Sequence, residues 1–136
     1  MLSGKSLMPK TVIDCGNCGP DHVAIKRLIE GHFDANVVQT DGAEDTLACA
    51  TRQSVDLICV NRKLDCDYSD GMEVIRQLRA NPATAEIPVM LITNYEEHQR
   101  EAMQAGAVRG FGKLSLADPA TRDLLTPFLS VTDNVS

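Results

Sequence analysis

A chain of 136 residues is long enough for one domain with a substantial core and too short for two. Its 43% hydrophobic and 24% charged residues are ordinary for a globular protein, and no apolar run approaches the roughly 20 residues of a membrane span. A net charge of −6 argues against a nucleic-acid surface, because a phosphate backbone calls for a basic footprint.

Residues 1–9 show no periodicity and read as a flexible leader. Gly4-Lys5-Ser6 lacks the upstream glycine and the preceding strand of a phosphate-binding loop, so it carries no weight. Residues 10–14 form a short strand ending in an acid, and residues 15–20 a glycine-rich loop. Pro20 and Asp21 suit the start of a helix whose apolar residues Ile25, Leu28, Ile29 and Phe33 recur at helical spacing. Residues 36–40 are the second strand, and Ala43, Leu47 and Ala50 mark the second helix. Val55-Asp56-Leu57-Ile58-Cys59-Val60-Asn61 reads as a strand covered on both faces, with Asn61 at its carboxyl end.

A long polar loop, 62–70, leads to a third helix bearing Val74, Ile75 and Leu78, which ends by Asn81-Pro82. Pro88 opens a fourth strand that ends at Thr93. A fourth helix spans roughly 96–105 and is capped by Gly106. A short glycine-rich fifth strand near 108–112 ends at Lys113. The last helix starts at Asp118-Pro119 and carries Leu124, Leu125, Phe128 and Leu129, and Pro127 should kink it or end it early. Residues 131–136 read as a frayed tail or the start of a linker.

Strands alternating with helices predict one α/β domain over residues 10–130. The expected form is a flavodoxin-like, doubly wound (βα)5 fold with a parallel five-stranded sheet in the order 2-1-3-4-5. In such sheets chemistry sits beyond the carboxyl ends of the strands, which here brings Asp14, Asn61, Thr93 and Lys113 to one edge. The five cysteines, Cys15, Cys18, Cys49, Cys59 and Cys66, are odd in number, and Cys59 lies in a buried-looking strand. Such usage fits a reducing, cytoplasmic setting better than a disulfide framework.

Taken together and in order, Val12-Ile13-Asp14, Asp56-Leu57-Ile58-Cys59-Val60-Asn61, Asp70-Gly71-Met72-Glu73-Val74, Ile87-Pro88-Val89-Met90-Leu91-Ile92-Thr93, Ala105-Gly106-Ala107 and Lys113 resemble the receiver domain of bacterial two-component response regulators (CheY-like). The resemblance covers about residues 10–130. In that family an aspartate ending the third strand accepts a phosphoryl group from a histidine kinase. Two acids after the first strand help to bind magnesium, a hydroxyl residue ends the fourth strand, and a lysine ends the fifth. The resemblance therefore implies that Asn61 stands at the phosphoacceptor position and Asp14 and Cys15 at the acid pair. Thr93 takes the place of the switch hydroxyl and Lys113 that of the lysine.

The departures from the family pattern carry the functional expectation. An amide at Asn61 is a poor nucleophile. Cys15 replaces one acid and Asn61 another, which leaves Asp14 alone, and magnesium prefers hard oxygen ligands. Asn94 follows Thr93 where a small residue is usual, and could crowd the phosphoryl position. Gly110 stands where an aromatic is common, Leu114 follows the lysine where a proline is common, and the loop through Asp65-Cys66-Asp67-Tyr68-Ser69 is longer than usual.

The expectation is a degenerate receiver, or pseudo-receiver. It is no enzyme and has no cofactor, and its magnesium binding is weak or absent. It would act in phosphorelay-type signalling by protein–protein contact, with a histidine kinase or an effector domain in the same chain as partner. The first contact surfaces to consider are 93–105 and 109–113. With fewer acids, Lys113 is expected to pair with Asp14, and His22, His32 and His98 have no assigned role. Two alternatives stand beside this reading. One is a phosphoacceptor displaced to Asp65 or Asp67. The other is a thiol redox switch through Cys15 and Cys18, which form a C-x-x-C motif between a strand and a helix. A zinc site needs three or four ligands, so Cys15 and Cys18 would have to recruit Cys66 or a histidine, and none is expected.

Overall fold

The computed structural model describes residues 9–130, so all but the last residue of the expected leader, and the whole tail over 131–136, lie outside the described residues. Four strands form a parallel sheet in the order β2-β1-β3-β4: β1 (Lys10–Cys15), β2 (Ala35–Thr40), β3 (Leu57–Asn61) and β4 (Val89–Ile92). Ile13 pairs with both Val38 and Ile58, and Cys59 with Met90.

Side chains alternate across these strands and build two cores. On one face Val12, Leu57, Cys59, Met90 and Ile92 pack with Ile25 and Ile29 of α1 (Gly19–His32) and with Leu125 and Leu129 of α5 (Pro119–Leu129). On the other, Ile13, Ile58, Val60 and Leu91 pack with Cys49 of α2 (Ala43–Arg52), Ile75 and Leu78 of α3 (Gly71–Ala80) and Ala102 of α4 (Glu96–Gln104). Burial on both faces explains why β3 and β4 read as unbroken apolar runs. No helix among the described residues is long and apolar enough to cross a membrane.

Two expectations need correction. The fifth strand does not form. Residues 107–112 run beside β4, but the pairing is one isolated parallel bridge, Met90 with Val108. The side chain of Gln99 is the reason. Its Nε2 donates to Leu91 O at 3.0 Å, and its Oε1 accepts from Gly110 N at 2.8 Å. A helix side chain thus bonds two backbone groups that would otherwise belong to a ladder, and holds the segments together through itself. Gly110 approaches so closely that a Cβ there would collide with Leu91 O.

Nor does Pro127 end α5, which continues to Leu129. Leu125 and Leu129 are fully buried. At about 1.5–3 kcal/mol each, their burial offsets the roughly 3 kcal/mol that an internal proline costs a helix. The expected aspartate cap of this helix is present, Asp118 accepting from Ala120 N at 3.0 Å.

Helix α3 begins hard against the end of β3. Its cap, Asp70, accepts from Met72 N at 2.8 Å, and a Cβ on Gly71 would collide with the carbonyl oxygen of Asn61. Gly71→Ala should therefore destabilise the domain by about 2–3 kcal/mol, as overpacking against backbone does. A urea denaturation midpoint equal to that of the unsubstituted protein would refute this.

Candidate functional site

The carboxyl ends of β1, β3 and β4 present Asp14, Asn61 and, one residue beyond β4, Thr93 along one edge. Lys113 reaches that edge from a single 3-10 turn, Lys113–Ser115, and not from a strand. The positions predicted to converge do so, but their partners differ from expectation.

Asp14 is fully buried. Its Oδ1 accepts from Asn17 Nδ2 at 2.5 Å, and its Oδ2 lies 2.7 Å from His22 Nδ1. Burial pushes the Asp14 carboxyl above its ordinary pKa, while the hydrogen bonds from His22 and Asn17 and the charges of His22 and Lys113 oppose that push. Lys113 does not pair with Asp14. Its Nζ donates to Asp21 Oδ2 at 2.8 Å, and that bond holds the Asp21 carboxyl below its usual value. The expected Lys113–Asp14 pair is thus replaced by two pairs, because the first turn of α1 carries adjacent residues, Asp21 and His22, that reach both groups.

Cys15 ends β1 fully buried, within hydrogen-bond reach of Thr46 and Thr40, and burial pushes its thiol pKa up. Cys18 is the cap of α1, which begins at Gly19, one residue before the start expected at Pro20, so Cys18 directly precedes the helix. Both thiols are free.

The Asn61 side chain turns back on its own loop, Nδ2 donating to Lys63 O at 2.6 Å. The Thr93 hydroxyl lies 3.0 Å from His98 Nδ1 and accepts from Tyr95 N at 3.3 Å. Asn94 does not intrude among these groups as a free side chain. Its Oδ1 accepts from Leu114 N at 3.1 Å and so caps the turn that carries Lys113.

The loop after β3, expected to be merely polar, has its own fold. Lys63 and Asp70 form an antiparallel bridge, Leu64 N donates to Ser69 O at 2.9 Å, and Leu64 is buried against Gly16. Asp65 is exposed, and its N–H donates to Gly16 O at 2.9 Å. Asp67 accepts from the Ser69 hydroxyl at 2.6 Å and from Ser69 N at 2.9 Å, which lowers its carboxyl pKa.

Sequence reasoning missed His22 and His98. Both sit near the amino end of a helix, His22 in the first turns of α1 and His98 in the first turn of α4. Those turns face the strand ends in a doubly wound sheet, and that position was the available signal.

Residues 22–117 match the family described as the response regulator receiver domain. No curated protein matches the chain. Among solved structures, the BeF3-activated N-terminal receiver domain of Klebsiella pneumoniae RstA is 18% identical with a TM-score of 0.73, over 90% of this chain and 100% of that one. The receiver domain of a Pseudomonas aeruginosa sensor histidine kinase, with a magnesium ion coordinated in its active-site cleft, is 19% identical with a TM-score of 0.72, over 91% and 100%. The response regulator domain of Thermotoga maritima CheB is 17% identical with a TM-score of 0.70, over 93% and 100%. At these identities the structures speak for the fold alone. The family match spans most of the chain and the sheet order agrees with it, and so this chain belongs to the response regulator receiver domain family of two-component systems.

Proposed function

We propose that this receiver domain acts in two-component signalling by protein–protein contact, without accepting a phosphoryl group and without turnover of its own. The observation that carries the reading is Asn61. At the end of β3 stands a carboxamide whose nitrogen is bound to Lys63 O. An amide has no lone pair with carboxylate basicity to attack phosphorus.

Magnesium does not fit the residues present. Asp14 is the one carboxylate at the strand ends, and both of its oxygens are engaged by Asn17 and His22. The Cys15 thiol is buried and kept protonated, and no group of three His, Cys, Asp or Glu side chains gathers as a metal site among the described residues. Hard divalent ions need several free oxygen ligands. In this reading the His22 ring and the Asn17 amide do for Asp14 what a cation does where acids cluster, and the domain needs no cofactor.

The proposed setting is the cytoplasm, and the proposed partner is a histidine kinase or an effector domain in the same chain. The surfaces to which 93–105 and 109–113 belong carry the exposed Tyr95 and a bidentate ion pair, Arg109 to Glu96 at 2.8 and 2.6 Å. Neither alternative draws comparable support. The Asp67 carboxylate is committed to Ser69, and the Cys15 thiol is buried with a raised pKa, the opposite of an activated redox thiol.

The test is intact-mass spectrometry after incubation with acetyl phosphate and magnesium. No phosphoryl adduct is expected. An adduct would overturn the reading, and its mapping to Asp65 or Asp67 would install the displaced acceptor in its place.

A further inference from the structure

The hydroxyl that follows β4 has a titratable partner with no role in the proposed function. Thr93 is 9% exposed, and its Oγ1 lies 3.0 Å from Nδ1 of His98 in the first turn of α4. The same oxygen accepts from Tyr95 N at 3.3 Å. Among the described residues the Thr93 hydroxyl hydrogen has no acceptor other than Nδ1. A neutral imidazole offers one acceptor nitrogen and one donor, whereas an imidazolium offers two donors and no acceptor. With the ring neutral, the buried hydroxyl is satisfied by donating to Nδ1, which places the ring hydrogen on Nε2. With the ring protonated, Nδ1–H donates to the threonine oxygen and the hydroxyl hydrogen loses its acceptor. A buried donor left without an acceptor is costly, so the segment around it has reason to rearrange.

No carboxylate pairs with the His98 ring among the described residues. The ring lines a cavity between the ends of β3 and β4 together with Arg62, Lys63, Lys113 and Tyr95, and no acid lines it. The charged residues beside it on α4 are Glu96, Glu97, Arg100 and Glu101. Of these, Glu96 is held by Arg109 at 2.6 Å and Glu101 lies 3.9 Å from Arg76. The Thr93 oxygen is therefore the group that answers a change of charge on the ring. Tyr95 is tied to the same pair twice, through its backbone N–H and through its ring, whose centroid lies 5.3 Å from that of the imidazole at an interplanar angle of 72°. Tyr95 is 64% exposed, so an event at the buried hydroxyl reaches the surface there.

We propose that His98 is a proton-operated switch on the Thr93 hydroxyl. Protonation of the ring reverses the direction of the Thr93–His98 hydrogen bond, rearranges residues 93–95 and changes the surface that Tyr95 presents to a partner. The two directions of one hydrogen bond are discrete states, which is what a switch needs. Imidazole is the side chain whose charge changes most readily near neutral pH. The switch deepens the reading of Asn61 as a non-accepting residue and rests on it, because it names an input for a domain that takes no phosphoryl group.

The test is an NMR titration of the whole chain from about pH 5 to about pH 8, following the imidazole and amide resonances. At the alkaline end the imidazole nitrogen shifts of His98 should place its hydrogen on Nε2 and leave Nδ1 bare. The amides of Thr93 and Tyr95 should shift with the midpoint of the His98 ring. In His98→Asn, which sets a carboxamide where Nδ1 stood and does not titrate, those amide shifts should be lost while His22 and His32 titrate as before. Thr93→Val separates the hydroxyl from the bare field of the charge: the His98 ring still titrates, and the Tyr95 shift should be largely lost. A hydrogen on Nδ1 in the neutral ring, amides that keep their shifts in His98→Asn, or a Tyr95 shift unchanged in Thr93→Val would each overturn the switch. A phosphoryl adduct from acetyl phosphate would sink the reading of Asn61 by a mass measurement that these shifts do not enter, so the two failures are told apart.

Discussion

His22→Ala should lower the stability of the domain by about 2–3 kcal/mol, the cost of leaving a buried charged group short of a partner. Asp14 is fully buried, and one of its two oxygens depends on the His22 ring at 2.7 Å. The second arm of the experiment makes the prediction specific. In an Asp14→Asn background the charge is gone, so the same His22→Ala change should cost under about 1 kcal/mol. Equal costs in the two backgrounds would mean that His22 contributes packing and not charge compensation.

The pH dependence follows from the direction of the Asp14 shift. Its folded-state pKa is raised, chiefly by burial. A raised carboxyl contributes stability that is fully present below the unfolded pKa, near 3.9, and lost as pH rises through the folded value. Removing His22 takes away what opposes the rise. The deficit of the variant should therefore grow from acid toward neutral pH. Urea denaturation of both proteins at a series of pH values measures it, and a deficit that shrinks on the same path would contradict the assignment.

The second large effect is expected at Gln99, which is almost wholly buried. Gln99→Leu keeps the bulk and removes the hydrogen bonds of the carboxamide, which donates to Leu91 O and, at 3.4 Å, to Thr93 O and accepts from Gly110 N. Leu91 O and Gly110 N, to which Gln99 is bound at 3.0 and 2.8 Å, are then left without those partners inside the protein. Buried polar groups left unmade cost about 1–3 kcal/mol each, so a loss of about 3 kcal/mol is expected in all.

The change is also expected to be local. Residues 107–112 are held beside β4 by one bridge, by Thr93 N donating to Phe111 O at 3.0 Å and by this side chain, and Lys113 follows directly. Amide hydrogen exchange should accelerate most at Gly110 and its neighbours, while the centres of β1 and β3 change only with global stability. Uniform acceleration through the whole sheet would show that Gln99 supports the core in general and not the edge.

Much of the fold was legible in the residues alone. The order of elements and the parallel sheet follow from apolar runs of strand length alternating with helical periodicity, because a strand buried on both faces and an amphipathic helix each leave that mark, and the pairing sequence 2-1-3-4 follows from right-handed crossovers in a doubly wound sheet. The shared edge of Asp14, Asn61 and Thr93 was legible for the same reason, since strand ends in such a sheet lie together, whereas Lys113 comes to it from a 3-10 turn. The amide at position 61 needs no structure at all: its chemistry is in its identity.

Other features had no local signature. Gln99 on a polar helix reads as a solvated residue, and only the packing of α4 against β4 turns its carboxamide into the link that replaces a fifth strand. Pro127 reads as a helix breaker until the full burial of Leu125 and Leu129 outweighs it. Lys113 could have met any acid at the edge, and it meets Asp21, while His22 and Asn17 occupy the two oxygens of Asp14. Periodicity and residue identity reside in the chain and determined the scaffold and the positions of its polar groups. The partners of those groups were decided by tertiary structure, because hydrogen bonds and ion pairs depend on ångström-scale distances between segments far apart in sequence.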